Sequence, residues 1–127
     1  MIESVIAAAQ ASLPLRVDEV SWGDPVLSIG GQGWNFNSLS AWRLRDAEKV
    51  LAGCSDRDAA KALERLVGLS VVRVFPQSAA LIVDPAFEFS DGTVLEVFGT
   101  DTFEPWTLHL PSGQVFVASP SDVNALE

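Results

Sequence analysis

The sequence predicts an α+β fold: a curled antiparallel sheet, a β-meander of roughly six to nine strands, with two amphipathic helices packed on one face or end. Between Leu69 and Ser119, short runs alternate apolar and polar residues and are separated by turn residues, which is typical of half-buried strands. Two other stretches show helical spacing of apolar residues. The chain has 127 residues without a repeat or a linker, so we expect a single domain over residues 1–127.

The first half of the chain is predicted to form one helix followed by short strands. Apolar residues recur at helical spacing over residues 2–13, and Pro14 ends this helix. The alternation breaks from Ser38 to Ser40, which predicts a bulge or bend. Gly30–Gly33 lacks the lysine of a phosphate-binding loop, so we interpret it as a hairpin tip. The predicted strands are Leu15–Val20, Val26–Ile29, Trp34–Asn37, Ala41–Arg45 and Lys49–Ala52.

A second helix is predicted to begin after Ser55–Asp58, a variant of the capping box in which aspartate replaces the usual glutamate. Its apolar stripe runs from Ala59 to Val67, and Gly68 is expected to stop it. The four tryptophans of the chain are expected in the core. The strands predicted after this helix are Val71–Phe75, Leu81–Phe89, Val94–Phe98, Trp106–Leu110 and Val115–Ala118.

The clearest register lies in the hairpin of residues 87–98. A three-residue loop, Ser90–Gly92, with glycine in the left-handed conformation, would align Phe87 with Leu95 and keep carboxylates away from aromatic rings. The segment Pro111–Gly113 repeats this turn pattern. The register divides the hairpin into an apolar face with Phe87, Phe89, Leu95 and Val97 and an outward face with Glu88 and Glu96.

The charge distribution predicts an acidic binding surface. The net charge is −9, and residues 74–127 contain eight Asp and Glu but neither Lys nor Arg. Such a surface repels nucleic acid and attracts a basic protein partner, although solubility alone also explains it. The residues predicted to form this acidic face are Asp84, Glu88, Glu96, Asp101 and Glu104.

No residue pattern predicts catalysis, a metal site or a cofactor. His109 is the single histidine, and no nucleophile-elbow motif accompanies it. Since Leu108 and Leu110 share the opposite face of their strand, His109 is expected to point outward beside Thr107. The alternative is a small hydrolase-type enzyme in which His109 works with one of three nearby carboxylates, Asp84, Glu88 or Glu96.

Composition predicts a cytoplasmic protein. The single cysteine, Cys54, cannot form an internal disulfide, and the N-terminus carries Glu3 where a leader peptide needs basic residues. No apolar run reaches the roughly 18 residues of a membrane span, so no membrane partner is expected. The hydrophobic content of 48% is high for a small domain. A homodimer, or a homo-oligomeric module without chemistry, is therefore a second alternative.

A resemblance covers roughly residues 34–118. The pattern resembles a group of small bacterial proteins of unknown function, some of which are similar to immunity proteins of polymorphic toxin systems. The resemblance implies a non-enzymatic binding protein and supplies no catalytic residues. The matching segments are Trp34-x-Phe36, Ala41–Leu44, Leu66–Gly68, Phe87-x-Phe89-x-Asp91-Gly92, Leu95-x-Val97-Phe98, Trp106-x-Leu108 and Pro111-x-Gly113.

Overall fold

The computed structural model describes residues 2–78, 84–99 and 105–118. These residues form two helices and eleven strands. The α+β class and the dominance of antiparallel sheet are confirmed. In chain order the elements are α1 (Ile2–Ala11), β1 (Leu15–Arg16), β2 (Glu19–Gly23), β3 (Val26–Gly31), β4 (Trp34–Ser38), β5 (Ala41–Arg45), β6 (Val50–Gly53), α2 (Ala59–Glu64), β7 (Ser70–Pro76), β8 (Pro85–Phe89), β9 (Val94–Phe98), β10 (Trp106–His109) and β11 (Val115–Val117).

The strands divide into two sheets, which corrects the prediction of one meander. The six-stranded sheet has the order β1-β7-β8-β9-β5-β6, and the five-stranded sheet has the order β11-β10-β4-β3-β2. Of the strands predicted after α2, β7, β8 and β9 pair in chain order, but β9 then pairs with β5, and β10 pairs with β4. Strands from the first half of the chain thus lie beside strands from the second half in both sheets. Local alternation of apolar and polar residues specifies which face of a strand is buried, but it does not specify which distant strand pairs with it.

The chain crosses between the sheets at Leu39 and Ser40, where a bulge or bend is predicted. Strand β4 ends at Ser38 in the five-stranded sheet, and β5 begins at Ala41 in the six-stranded sheet. The backbone N–H of Leu39 donates to the carbonyl of Pro105 at 2.9 Å, and the Ser38 hydroxyl donates to the same carbonyl at 3.3 Å. The Leu39 N–H and the Ser38 hydroxyl therefore both satisfy the Pro105 carbonyl beside the buried Ser38, where an unpaired polar group would be costly.

The apolar faces of the two sheets pack against each other. The ring of Phe36 in β4 lies 4.8 Å from the ring of Phe87 in β8, centroid to centroid. A second contact between sheets joins Trp22 and Trp42, with centroids 5.4 Å apart in an edge-to-face arrangement. Such aromatic pairs stabilise beyond their buried area by about 0.5–1.5 kcal/mol. The prediction of tryptophans in the core is confirmed for Trp34, Trp42 and Trp106, whereas Trp22 is only half-buried.

The two helices pack at different places rather than together on one face or end. Helix α1 buries Ile2, Val5 and Ala9 and contacts β7. Helix α2 contacts β2 and β6, which are edge strands of different sheets. None of the helices in the described ranges is long and apolar enough to cross a membrane.

The capping box predicted for α2 is wrong. Asp58 occupies the N-cap position without a side-chain hydrogen bond to the helix. Asp56 instead accepts the backbone N–H of Gly53 at 2.8 Å, upstream of the helix. Gly68 has a φ of +92°, but the helix already ends at Glu64, so this glycine serves the turn that leads to β7.

The predicted register of the β8–β9 hairpin is confirmed. Phe87 pairs with Leu95, and the N–H of Phe89 donates to the carbonyl of Thr93 at 2.8 Å. Gly92 has a φ of +89°, as the three-residue loop requires. The loop at Pro111–Gly113 follows the same plan, with Gly113 at a φ of +91°.

Several element bounds differ from prediction. The stretch predicted as one strand over Leu15–Val20 is divided into β1 and the start of β2. Residues 81–83 of the predicted strand Leu81–Phe89 lie outside the described residues. At the predicted glycine tip, β3 continues to Gly31, and only residues 32 and 33 form the turn. A Cβ on Gly31 would lie 2.1 Å from the Arg16 carbonyl oxygen, so this glycine permits close packing of β1 on β3.

Candidate functional site

Glu96 lies on the outward face of the six-stranded sheet, but it is buried there. Because β9 pairs with β5, Glu96 stands directly opposite Arg43. Its carboxylate accepts from the guanidinium of Arg43 and lies 3.2 Å from Nε of Arg45. Glu96 is only 4% exposed, so the prediction that it projects freely into solvent is wrong. A partner cannot use this carboxylate without separating it from two arginines.

Glu88 is also paired, although it remains partly accessible. A register shift between Val71 and Arg73 in β7 places Arg73 opposite Glu88. The Nε atom of Arg73 lies 3.1 Å from a carboxylate oxygen of Glu88. Both glutamates of the predicted acidic face that lie on this sheet are therefore paired with arginines, Glu96 with those of β5 and Glu88 with that of β7.

Two of these arginines are stacked on phenylalanine rings. The guanidinium carbon of Arg43 lies 5.0 Å from the ring centroid of Phe98, and that of Arg73 lies 4.2 Å from the centroid of Phe75. Both distances fall within the range of cation–π attraction. The planar guanidinium groups are thus held between a carboxylate and an aromatic face.

These side chains form what we call the arginine face. Its three arginines and two glutamates have a formal charge of +1, so arginines outnumber the two glutamates of the predicted acidic face that lie here. The alternation in Ala41–Arg45 already places both of its arginines on one side of a strand. What the sequence lacks is the information that this strand lies beside β9. The members of the arginine face are Arg43, Arg45, Arg73, Phe75, Glu88, Glu96 and Phe98.

Asp84 is a buried structural carboxylate. It is 6% exposed and accepts hydrogen bonds from the backbone N–H of Gly99 at 2.7 Å and from the indole N–H of Trp106 at 3.1 Å. Burial raises the pKa of the Asp84 carboxyl group, and the two hydrogen bonds oppose this rise only in part. Asp84 therefore joins β8, β9 and β10 rather than offering charge to a partner. The other two predicted members of the acidic face, Asp101 and Glu104, lie outside the described residues.

His109 points outward from β10 as predicted, but on the other sheet. It pairs with Asn35 of β4 and Val115 of β11 on the outer face of the five-stranded sheet. Glu88 and Glu96 lie on the outer face of the six-stranded sheet. The structure does not bring together the histidine and glutamates of the alternative hydrolase. In the part of the chain that the structure describes, no group of three His, Cys, Asp or Glu could hold a metal ion.

A shallow depression near Cys54 offers little chemistry of its own. It lies where the β2–β3 turn, the crossover between sheets and the segment after β6 meet. Cys54 and Asp24 contribute a thiol and a carboxylate to its lining, and Trp22 contributes an indole ring. His109 is not part of this lining, so a cysteine–histidine pair is not assembled there.

Comparison of the chain with protein-family models, with curated proteins and with solved structures finds no match. The resemblance to immunity proteins therefore stays a prediction.

Proposed function

We propose that this chain is a non-enzymatic protein-binding module whose contact surface is the arginine face. The observation that carries the proposal is the stacking of Arg43 and Arg73 on aromatic rings at a solvent-facing sheet surface. Arginine and aromatic residues are enriched at protein interfaces and among the residues that dominate binding energy. Because the rings and glutamates already orient the guanidinium groups, binding would order fewer side chains and so cost less entropy.

The proposed partner is a protein of net positive charge that presents carboxylates at its contact site. The net charge of −9 attracts a basic protein over long range, whereas the arginine face itself has a formal charge of +1. The long-range approach of the partner and its contact with the arginine face therefore depend on different charges of the partner. The partner approaches because of its overall charge and docks through acidic groups that reach the exposed guanidinium N–H groups. Nucleic acid is a poor fit, because its phosphates are repelled by the whole molecule.

The immunity-like role is one form of this proposal. In it the partner is a toxin, and both proteins are in the cytoplasm, the location that the single cysteine favours. The arginine face would then mask a surface that the toxin needs for its activity.

The experiment compares three baits in affinity capture from the native host: the unaltered chain, Arg73→Ala and Arg16→Ala. Arg16 is the matched control, because it forms an ion pair with Asp18 at the same 3.1 Å as Arg73 with Glu88, but it lies on the edge strand β1 and is not one of the two arginines stacked on phenylalanine rings. We expect the unaltered chain and Arg16→Ala to retain the same protein. Arg73→Ala should weaken its binding at least about fivefold, because truncating an interface anchor typically costs more than about 1 kcal/mol.

Equal binding of a specific partner by all three baits would show that the arginine face is not the contact surface. The non-enzymatic part of the proposal is tested separately with hydrolase substrates. Reproducible turnover that His109→Ala abolishes would establish an enzyme instead.

A further inference from the structure

The strand β11 is the last strand on one side of the five-stranded sheet, and among the described residues this edge is open. Among the described residues, no strand pairs with the side of β11 that faces away from β10. The opposite edge of this sheet, β2, contacts helix α2, and so does the edge strand β6 of the other sheet. An open sheet edge is a template for pairing with another strand.

The hydrogen bonds of β11 show which backbone groups are directed outward. Leu110 N–H donates to the Gln114 carbonyl, and Ala118 N–H donates to the Trp106 carbonyl, each at 2.9 Å. In an antiparallel pair, residues two apart direct their backbone groups to the same side. Residues 114, 116 and 118 therefore face β10, whereas the N–H and C=O groups of Val115 and Val117 point away from the sheet. The edge offers two donors and two acceptors.

The described residues of this edge lack the charges and prolines that protect many natural sheet edges from pairing. The segment Gln114–Ala118 contains no charged residue and no proline. Its two valines are substantially exposed, Val115 at 51% and Val117 at 39%. On the neighbouring strands, the outward residues Thr107, His109, Asn35 and Asn37 are also without formal charge.

The absence of charge on these described residues favours a second copy of the same chain as the partner that pairs with β11. Two molecules of net charge −9 repel each other over most orientations. At β11 the described residues of the two copies place no carboxylates opposite one another, so these residues add no local repulsion there. A charged partner, by contrast, would find no complementary charge among the described residues of this edge.

We propose that two copies of this chain pair through β11 in antiparallel orientation about a twofold axis. Phe116 lies at the axis opposite Phe116 of the partner subunit. Val115 then pairs with Val117 of the partner subunit, and the twofold axis repeats this pair. These pairs form four backbone hydrogen bonds, and the four valines pack together on the outer face. The contact joins two five-stranded sheets into one continuous sheet and leaves the arginine face free.

The dimer is expected to be weak, because β11 has only three residues and buries little surface on pairing. Sedimentation equilibrium of the full chain from about 10 µM to 1 mM covers the affinity range of small interfaces. The weight-average mass should rise from 13.6 kDa towards twice that value as the concentration increases.

Val117→Pro tests the geometry directly. Proline removes the outward N–H of residue 117, yet it takes no hydrogen bond from the β10–β11 pair, and proline is tolerated on edge strands. The twofold axis doubles the loss, so the association constant should fall about tenfold or more. Val117→Thr is the matched control, because threonine keeps the N–H and the β-branched shape, and it should change association by less than about threefold.

Hydrogen exchange of the unaltered chain gives a readout that needs no variant. Exchange of the Val115 and Val117 amides should slow as concentration rises, whereas the Phe116 amide, which is bonded to β10, should not respond to concentration. A monomer at every concentration would overturn the proposal. So would a dimer insensitive to Val117→Pro, or exchange at Val115 and Val117 that does not depend on concentration.

Discussion

Asp84 and Glu96 are both nearly inaccessible to solvent, but they interact with different groups. Glu96 lies between two guanidinium groups on the arginine face, so burial there is accompanied by opposite charge. Asp84 receives two hydrogen bonds from neutral donors, the amide of Gly99 and the indole of Trp106. A lysine at position 96 would place a third cation beside Arg43 and Arg45. Although Glu96 lies on the outward face, as predicted, a lysine there would therefore destabilise its surroundings.

The pH dependence of stability should carry a contribution from Asp84. Because burial raises the pKa of Asp84 in the folded protein above the ordinary value of 3.8, the folded state binds more protons than the unfolded state between the two values. The contribution of Asp84 to the free energy of unfolding is therefore largest below pH 3.8. It falls as the pH rises through the pKa that Asp84 has in the folded protein.

Asp84→Asn removes this titration and leaves one donor facing an amide NH₂ group. We expect a loss of about 1–3 kcal/mol at acidic pH. The deficit relative to the unaltered chain should shrink towards neutral pH. Urea unfolding of both proteins between pH 3.5 and 7 measures the difference. A constant difference over this range would mean that the Asp84 carboxyl group has the same pKa in the folded and unfolded states.

At the scale of elements, the β8–β9 hairpin owes its register to its loop. Gly92 supplies the left-handed conformation, and Asp91 accepts hydrogen bonds from the Thr93 hydroxyl at 2.6 Å and the Thr93 N–H at 3.0 Å. Burial acts to raise the pKa of Asp91, but these hydrogen bonds and the nearby Arg65 outweigh it, so the pKa is lowered. The loop is thereby held in the one conformation that pairs Phe87 with Leu95.

Substitution of two glycines separates the effect of backbone conformation at Gly92 from the effect of adding a side chain. A Cβ on Gly92 or on Gly23 would meet nothing within 4 Å, but only Gly92 has a φ in the left-handed range. We expect Gly92→Ala to lower the free energy of unfolding by about 1–2 kcal/mol. Gly23→Ala should change it by less than about 0.5 kcal/mol, as for an ordinary surface substitution. Equal effects in urea unfolding would contradict the role of backbone conformation at Gly92.

At the scale of the whole molecule, the two sheets share one core. Phe36 contacts Phe87 across the sheets and also lies 6.0 Å from the ring of Trp106 in its own sheet. The buried cluster contains residues of both helices and both sheets. We therefore expect the sheets to unfold as one cooperative unit.

Phe36→Ala tests this coupling. It should lower the free energy of unfolding by about 3–5 kcal/mol, the usual cost of truncating a buried phenylalanine. Amide exchange should accelerate in both sheets, because the ring supports both. Phe98→Ala is the control, since Phe98 is half-exposed on the arginine face, and it should cost less than half as much. Faster exchange in the five-stranded sheet alone would show that the sheets unfold separately.

The sequence by itself determined the features that depend on neighbours along the chain. The loop at Ser90–Gly92, the inward side of Phe87, the outward side of His109 and the apolar stripe of α1 all follow from turn chemistry and from periods of 2 or 3.6 residues. Turn geometry and side-chain alternation act over a few residues, so one sequence is sufficient to predict them.

Only the tertiary structure decided which strands lie side by side, and with them the charge of the candidate site. Arg43 and Glu96 are 53 positions apart, and they meet because β5 joins the edge of β9 after the chain has crossed between sheets at Leu39 and Ser40. Any strand with one apolar face could satisfy the same alternation at that edge. The choice of neighbouring strand depends on how both sheets fill a common core. This long-range packing placed arginines beside Glu88 and Glu96, two members of the predicted acidic face.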